Sequence, residues 1–370
     1  MLRILQHVKA YRTSHGGIER VVEELVPRLN RYPDMEVDVL CQGAETCEYA
    51  LTGGGRVNQA RTSFTLSGAG LSWGDFRYWS RAARQYDVVH VHLPWPQSNL
   101  NFLLQRFSGA AVVHWHSDIV RQRSLYALYK PVERWLLERA DKICVTSPKL
   151  LDESPSLDGF RHKAVAIPIG VNESDADISR QDIEAVRALY PDQFVIFALG
   201  RMVSYKGFEY LVRAAPLLVP RCVVVIAGDG PLRQKIEALI HQCNVEHQVK
   251  LLGRLSNREV ELYMRGCDVF CLPSVERSEA FGIVQIEAMR AARPVVSTKI
   301  PGSGVDWVNQ DGVTGFTVER YDPAALAEAL NRLAVAPELM RRFGDNARVR
   351  YEEMFTAQRM AERVRQLYLS

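Results

Sequence analysis

Nowhere in the sequence does an apolar run approach the roughly 20 residues that span a bilayer, so no transmembrane helix is expected. Charge of either sign is not in excess. The 46 basic and 43 acidic side chains leave a formal +3, whereas a nucleic-acid-binding domain is more often strongly basic, so no nucleic-acid partner is expected. Cys-x-x-Cys is absent, and the seven cysteines are odd in number and widely spread. That pattern disfavours both a structural zinc site and a disulfide framework. Cys144, Cys222, Cys267 and Cys271 lie in apolar strand-like runs, where a reduced, buried thiol is the expectation, and this points to a cytoplasmic setting. The opening Met-Leu-Arg-Ile-Leu-Gln-His-Val is too short an apolar run for a signal peptide. Gly-x-Gly-x-x-Gly is also missing, so a nicotinamide cofactor is a poor fit.

What is present has an ordinary globular balance, 47% apolar and 24% charged. At 370 residues the chain exceeds the size at which one core usually stops growing, so two domains are expected. Short apolar strands alternate with amphipathic helices throughout. The first half predicts strands at 3–8, 36–41, 88–92, 111–114 and 142–146, with helices at 18–29 and 73–85. The second predicts strands at 194–199, 222–227, 249–252, 269–272 and 294–297, with helices at 208–218, 231–243, 257–266 and 282–291. Near-continuous apolar strands such as Val88–Val91 suit a parallel α/β sheet covered on both faces. A polar stretch between Ile167 and Ile183 reads as the hinge, and the charged segment from Pro337 reads as helical. Two successive parallel-sheet units predict a cleft, with ligand beyond the carboxyl ends of the strands.

The most telling segment is Glu279-Ala-Phe-Gly-Ile-Val-Gln-Ile-Glu287. A helix starting near Gly282 points free N–H groups at whatever lies beside Glu279, and Glu287 sits little more than a turn inside. Two carboxylates at a helix N-terminus suit a ligand with hydroxyls and phosphate, such as a nucleotide sugar; an ordinary surface helix is the plain alternative. Arg201 and Lys206, five residues apart in a glycine-bounded loop after a strand, can clamp a diphosphate or simply face solvent. Gly16-Gly17 before the first helix permits close approach of a phosphate, though a loop explains it as well. Asp229 reads as the cap of a helix beginning at Pro231. His90 and His92 share one strand face, and His114 and His116 another. Without a carboxylate or thiolate at diagnostic spacing they do not suggest a metal. His116, where its strand ends, is the best placed to meet a sugar hydroxyl. Between Arg121 and Arg139 an apolar stripe (Leu125, Leu128, Tyr129, Val132, Trp135, Leu136) mixes with arginines. Core packing is one reading, an anionic membrane surface the other, and Pro131 either kinks that helix or begins a new one.

Together these segments resemble the retaining glycosyltransferases of the GT-B architecture, family 4 type, related to bacterial polysaccharide mannosyl-, glucosyl- and N-acetylglucosaminyltransferases. The matching stretches are Gly-Gly-Ile-Glu-Arg at 16–20, His-Val-His-Leu-Pro at 90–94, His-Ser-Asp at 116–118 and Ile-Pro-Ile-Gly-Val-Asn at 167–172. They continue with Gly-Arg-Met-Val-Ser-Tyr-Lys-Gly at 200–207, Ala-Gly-Asp-Gly-Pro-Leu at 227–232, Leu-Gly-Arg-Leu at 252–255, Leu-Pro-Ser at 272–274 and 279–298. Ile169 departs from the asparagine that many relatives carry before Gly-Val.

The resemblance implies two Rossmann-like domains, an acceptor-binding one over 1–172 and a donor-binding one over 173–350. Residues 351–370 are then a helix packing back toward the first domain. It implies that Glu279 contacts donor-sugar hydroxyls, that backbone N–H groups at Phe281, Gly282 and Ile283 hold the diphosphate and sugar edge, and that Glu287 holds the ribose. Arg201 and Lys206 then neutralise the leaving diphosphate, Gly17 donates an N–H to the distal phosphate, His116 meets the sugar's reacting face, and Arg254 lies in the base-reading loop. No metal is implied, and no Asp-x-Asp stands at a strand end. GDP-mannose is the expected donor, with a UDP-sugar as the alternative. The expected acceptor is a saccharide or lipid-diphosphate-linked oligosaccharide, reached at an anionic membrane surface through Trp95, Trp135 and nearby arginines. An epimerase, a phosphorylase and a silent sugar-nucleotide-binding scaffold are the competing readings; the sequence lacks the pyridoxal lysine pattern of a phosphorylase and keeps the cationic pair that a scaffold would not need.

Overall fold

The computed structural model describes residues 1–12, 16–66, 69–105, 107–119, 123–174 and 176–370, without the side chains of Leu66, Arg123, Ser124, Leu125 and Leu128. The chain divides into two compact units, one of residues 1–172 with 356–370 and the other of residues 173–355.

The first unit is built on an eight-stranded sheet. Its strands are β1 (Leu2–His7), β2 (Met35–Gly43), β3 (Cys47–Ala50), β4 (Arg56–Arg61), β7 (Val88–Leu93), β8 (Ala110–Trp115), β9 (Lys142–Val145) and β10 (Ala164–Ala166). A separate hairpin, β5 (Phe64–Leu66) and β6 (Ala69–Leu71), precedes β7. The order is β10-β9-β8-β7-β1-β2-β4-β3, parallel except for the antiparallel edge strand β3. Alternation along the strands gives the sheet two different faces. Leu5, Val89, Val91, Val113, Trp115 and Val145 point into a core with Trp79, Phe102 and Leu136. The neighbouring positions carry Gln6, His90, His92, His114 and Cys144, all buried and polar or thiol-bearing. The register sets Gln6 beside His90 and His114 between His92 and Cys144.

Against that polar face lies the last helix, Ala357–Leu369. Its Met360, Ala361 and Val364 are fully buried, and its Tyr368 hydroxyl accepts from Gln6 Nε2 at 2.7 Å. Ile167, Ile169 and Val171 are also buried here, and Val171 O accepts from the N–H of Ala357 at 3.0 Å. The opening of the expected hinge is therefore packed chain. The later part becomes the helix Arg180–Arg187, started by a reciprocal capping box between Ser179 and Asp182.

The second unit holds a six-stranded, wholly parallel sheet of β11 (Phe194–Leu199), β12 (Cys222–Ala227), β13 (Val249–Gly253), β14 (Val269–Leu272), β15 (Val295–Lys299) and β16 (Gly315–Glu319). The order β13-β12-β11-β14-β15-β16 reverses direction between β11 and β14. At such a switch point the connections leave to opposite faces, and a crevice opens beyond the strand ends. Phe208, Leu211, Leu326, Leu330 and Phe343 pack one face of the sheet. The helix Pro337–Arg350 runs into a π turn at Tyr351–Phe355 that stays with this unit.

Several local expectations are corrected. Asp229 caps no helix: its Oδ1 accepts from the adjacent N–H of Gly230 at 2.8 Å, and the helix begins uncapped at Arg233. The helix Arg123–Arg139 runs through Pro131 without restarting. Its inward face carries Leu136 and Trp135 into the core, while Glu133 is buried and accepts from the Tyr126 hydroxyl at 2.7 Å. Burial raises the Glu133 pKa to about 7, so this carboxyl is no partner for a surface arginine. Trp95 is 1% exposed, its indole N–H donating to Gly70 O, which removes it from any membrane-facing surface. Arg121, and the side chains of Leu125 and Leu128, lie outside the described residues. All seven cysteines are free, and Cys144, Cys222, Cys267 and Cys271 are buried.

Candidate active site

The loops after β11 and β14, on either side of the switch point, meet through one ion pair. Lys206 Nζ lies 2.6 Å from Glu279 Oε2, and the two side chains are 10% and 12% exposed. Gly207 makes the approach possible. It sits at φ +65°, and a Cβ there would run into the carbonyl oxygen of Pro273, so the loop closes down on the residues after β14. Ser274 donates its hydroxyl to the same carboxylate oxygen at 3.0 Å, and Ser303 Oγ donates to the Glu279 carbonyl. Burial penalises the Lys206 ammonium, but the Glu279 charge and hydrogen bond outweigh it. With Tyr205 and Glu287 adding to them, they hold its pKa above the usual lysine range.

Glu279 is followed within a few residues by the helix Ile283–Arg290. Its N-cap is Gly282, at φ +74° in the left-handed region, and no side chain caps the helix. The first N–H groups therefore point out of the helix with its positive dipole end behind them. The Phe281 ring is buried against Trp307 and Phe355 at 6.4 and 6.1 Å, which leaves only its backbone facing the loop. Glu287 is 5% exposed on the inner face of this helix. Arg201 and Arg254 are exposed, and neither has an ion-pair partner among the described residues. The second unit thus brings Lys206, Glu279, Gly282, Ile283 and Glu287 to one loop cluster at the switch point, with exposed Arg201 in the same loop as Lys206. Arg254 follows β13 at the outer edge of the sheet. Gly17 opens the helix Gly17–Leu29 of the first unit, exposed, just past residues 13–15, which are not described.

His116 follows β8 in the first unit and is 5% exposed. Its ring is the end of a stack of imidazoles. His114 and His116 are parallel with centroids 4.1 Å apart, His92 stacks on His116 at 5.2 Å, and His90 on His92 at 4.8 Å. Burial first, and neighbouring imidazoles after it, push the pKa values of His90, His92 and His116 well below the usual histidine value. Burial alone brings His114 down to about 3. Ring nitrogens of His90, His92 and His114 lie within 4.8 Å of one another. Stacked rings direct their lone pairs side by side instead of toward one point, and the nitrogens of His90 and His92 already face hydrogen-bond partners. Both ring nitrogens of His114 are buried without a hydrogen-bond partner. Asp118 accepts from the Trp115 indole at 3.1 Å and the Ser154 hydroxyl at 2.6 Å, which fixes the chain leaving β8.

Residues 15–175 match the family model described as Glycosyltransferase Family 4, and residues 179–350 match Glycosyl transferases group 1. The chain is 33% identical over 369 residues to a protein of Escherichia coli named O-antigen chain mannosyltransferase C, covering 99% of this chain and 98% of that one. The chain belongs to the GT-B glycosyltransferases. Another relative of this transferase, D-rhamnosyltransferase WbpZ of Pseudomonas aeruginosa, is 32% identical over 96% of the chain and 93% of its own length. The fold matches that of sucrose-phosphate synthase from Thermosynechococcus elongatus at a TM-score of 0.79 and 22% identity, over 100% and 98% of the two chains. It matches Anabaena HepE, solved with UDP, at 0.79 and 18% identity over 99% of each. The protein is thus a glycosyltransferase.

Ser274, Ser303, Gln6 and Tyr368 are not singled out as site residues by the sequence. Ser274 was within reach of it, as the polar residue directly beyond a strand in Leu-Pro-Ser. Tyr368 was not, since it meets residues some 280 positions away.

The neutral histidines set an expected pH dependence. Their folded pKa values are depressed, so the unfolded chain takes up protons first, at about 6.5. The stability they confer is present above that pH and is lost as pH falls from about 6.5 toward the folded values. Each histidine contributes a slope of about 1.4 kcal/mol per pH unit. Urea midpoints measured for the first unit between pH 7.5 and 5.5 should fall, and His114→Phe should lessen the fall by roughly one proton. An equal slope in the variant would contradict this account.

Proposed function

We propose that the protein is a retaining hexosyltransferase of cell-surface polysaccharide synthesis that uses a UDP-sugar and works without a metal. The observation that carries this reading is the Lys206–Glu279 pair beside an uncapped helix N-terminus. When the glycosidic C1–O bond breaks, negative charge grows on the departing diphosphate. Lys206, Arg201 and the N–H groups at Gly282 and Ile283 are the groups suited to receive it, with Gly17 adding an N–H at the distal phosphate. Glu279, released from Lys206, then hydrogen-bonds the sugar's hydroxyls, Glu287 the ribose hydroxyls, and the backbone near Arg254 the base. His116 meets the reacting face of the sugar. The new C1–O bond forms on the face the diphosphate leaves, and that diphosphate takes the acceptor's proton, so the anomeric configuration is retained and no protein nucleophile is needed.

For the donor, a UDP-sugar is favoured by HepE, which was solved with UDP, with UDP and glucose, and with UDP-glucose, while a starch synthase of the same fold was solved with ADP. Mannose from GDP-mannose is the second reading, favoured by the relative named mannosyltransferase. A ligand that binds only the folded state raises its apparent stability, by about 2.7 kcal/mol at a hundredfold excess over Kd. UDP should raise the melting temperature and GDP should not. Stabilisation by GDP alone would overturn the UDP reading in favour of mannose.

The acceptor in this reading is lipid-diphosphate-linked, met at the inner face of the cytoplasmic membrane. No helix among the described residues is long and apolar enough to cross one. Peripheral contact is better supported by the helix Trp73–Ala82 and the turn after it than by residues 121–139. Trp73 is 65% exposed beside Phe64 at 49%, and Arg77, Arg81 and Arg84 continue one exposed stripe without an ion-pair partner among the described residues. Aromatic residues favour the headgroup level, and each arginine near an anionic surface adds roughly 1 kcal/mol. Sedimentation with anionic vesicles should be strong at low salt, weak at high salt, and reduced by Arg77→Glu with Arg81→Glu. Equal binding to neutral vesicles would remove the membrane contact and leave the transferase standing.

A further inference from the structure

The polar face of the first sheet contains one unbroken file of hydrogen bonds. Cys144 Sγ lies 3.6 Å from His90 Nε2, and His90 Nδ1 lies 2.5 Å from the Tyr368 hydroxyl. Gln6 Nε2 reaches that hydroxyl at 2.7 Å, while Gln6 Oε1 is 2.8 Å from His92 Nε2. His92 Nδ1 is 2.9 Å from His116 Nε2. Gln6, His90, His92 and Cys144 are at most 1% exposed, so bulk water does not compete for these contacts.

The direction of every bond follows from the Gln6 amide. Its oxygen can only accept, so His92 must carry its proton on Nε2. A neutral His92 then has a bare Nδ1, which accepts from His116 Nε2–H. His116, neutral as well, is left with a bare Nδ1, its side-chain hydrogen bond to His92 being made through Nε2. On the other side the Gln6 amide N–H donates to Tyr368, the phenol proton goes to His90 Nδ1, and the His90 proton sits on Nε2 facing Cys144. Burial acts on every titratable member in the sense that keeps it uncharged: the three histidines are pushed down, and Tyr368 and Cys144 are pushed up. Turning the amide over would reverse the whole file and put the His116 proton on Nδ1.

We infer that Tyr368, Gln6 and His92 are positioning residues for His116, holding its proton on Nε2 so that Nδ1 is presented as an acceptor to a substrate hydroxyl. The inference rests on the reading of His116 as facing the sugar. Gln6 gives the file its direction, and Tyr368, whose hydroxyl accepts from the amide N–H while donating to His90 Nδ1, gives that amide orientation its partner on the far side. The parallel ring of His114 holds the plane of His116, so the imidazole can neither tilt nor exchange its two nitrogens without leaving the stack. The last helix of the chain thereby reaches the end of β8 through three hydrogen bonds and no charge.

Histidine-ring 15N–1H correlation spectra of the full-length protein, labelled with 15N-histidine, read each tautomer directly in the resting state. His116→Gln and His92→Gln identify the two signals by their loss. His92 and His116 should both appear as the Nε2–H form at pH 7.5. A His116 proton on Nδ1 in the unsubstituted protein would overturn the inference without need of any variant. Tyr368→Phe removes one hydroxyl from a retained ring; it should give mixed tautomers at His116 and lower kcat on the order of tenfold, with KM for the sugar nucleotide unchanged. Unchanged tautomers and unchanged kcat in that variant would remove Tyr368 from the role. Full turnover in His116→Gln would overturn the substrate-facing reading, and the positioning role with it, even where the spectra show the expected polarity.

Discussion

A lysine ammonium taken out of water loses its charge unless a carboxylate goes with it, and the second unit is arranged around meeting that requirement for Lys206. Glu279 supplies the charge, Ser274 a further hydrogen bond to the same oxygen, and Gly207 the close approach of the two loops. A buried pair of this kind adds little net stability, because desolvation offsets most of the attraction. It does hold a cation beside a helix end whose own N–H groups have no cap. In the proposed reading a diphosphate is a better partner for that cation than one carboxylate, and its arrival frees Glu279 to meet the sugar. Binding and positioning of the donor are then one exchange of partners.

The first unit handles polarity by the opposite means. Its buried face is kept uncharged, with imidazoles, an amide, a phenol and a thiol bonded in file. Neutral groups avoid the desolvation cost of ions while still fixing direction, since every donor must find an acceptor. The packing of the last helix against this face ties the end of the chain to the strands that carry His116.

Much of this was legible in the sequence because the central strands are apolar enough to be read without a partner. Phe194–Leu199, Cys222–Ala227 and Val269–Leu272 fall where the apolar runs place them, as does the helix Asn257–Gly266. The elements that escaped have other reasons to form. The strands Cys47–Ala50 and Arg56–Arg61 lie at a sheet edge with solvent on one side, so their composition is polar. The helix Pro96–Leu104 buries Gln97, Ser98, Asn99 and Asn101, so its inward face has no apolar period to detect. Nothing local in the sequence distinguishes an indole facing lipid from one under a hairpin, so the burial of Trp95 comes only with the fold. Lys206 and Glu279 were each legible from loop position and glycine spacing; that they touch is a property of strand order.

The partner exchange at Lys206 is tested most directly by nucleoside diphosphate affinity in two variants. Calorimetric titration should find Glu279→Gln binding the diphosphate as tightly as the unsubstituted protein or more tightly, because its cation no longer has a competing carboxylate, while transfer collapses. Lys206→Ala should lose roughly tenfold or more in the same titration, as expected when a charge-assisted contact of 1.5–3 kcal/mol is removed. Equal loss of affinity in both variants would mean that Lys206 and Glu279 act as one structural brace, and that the donor is held elsewhere.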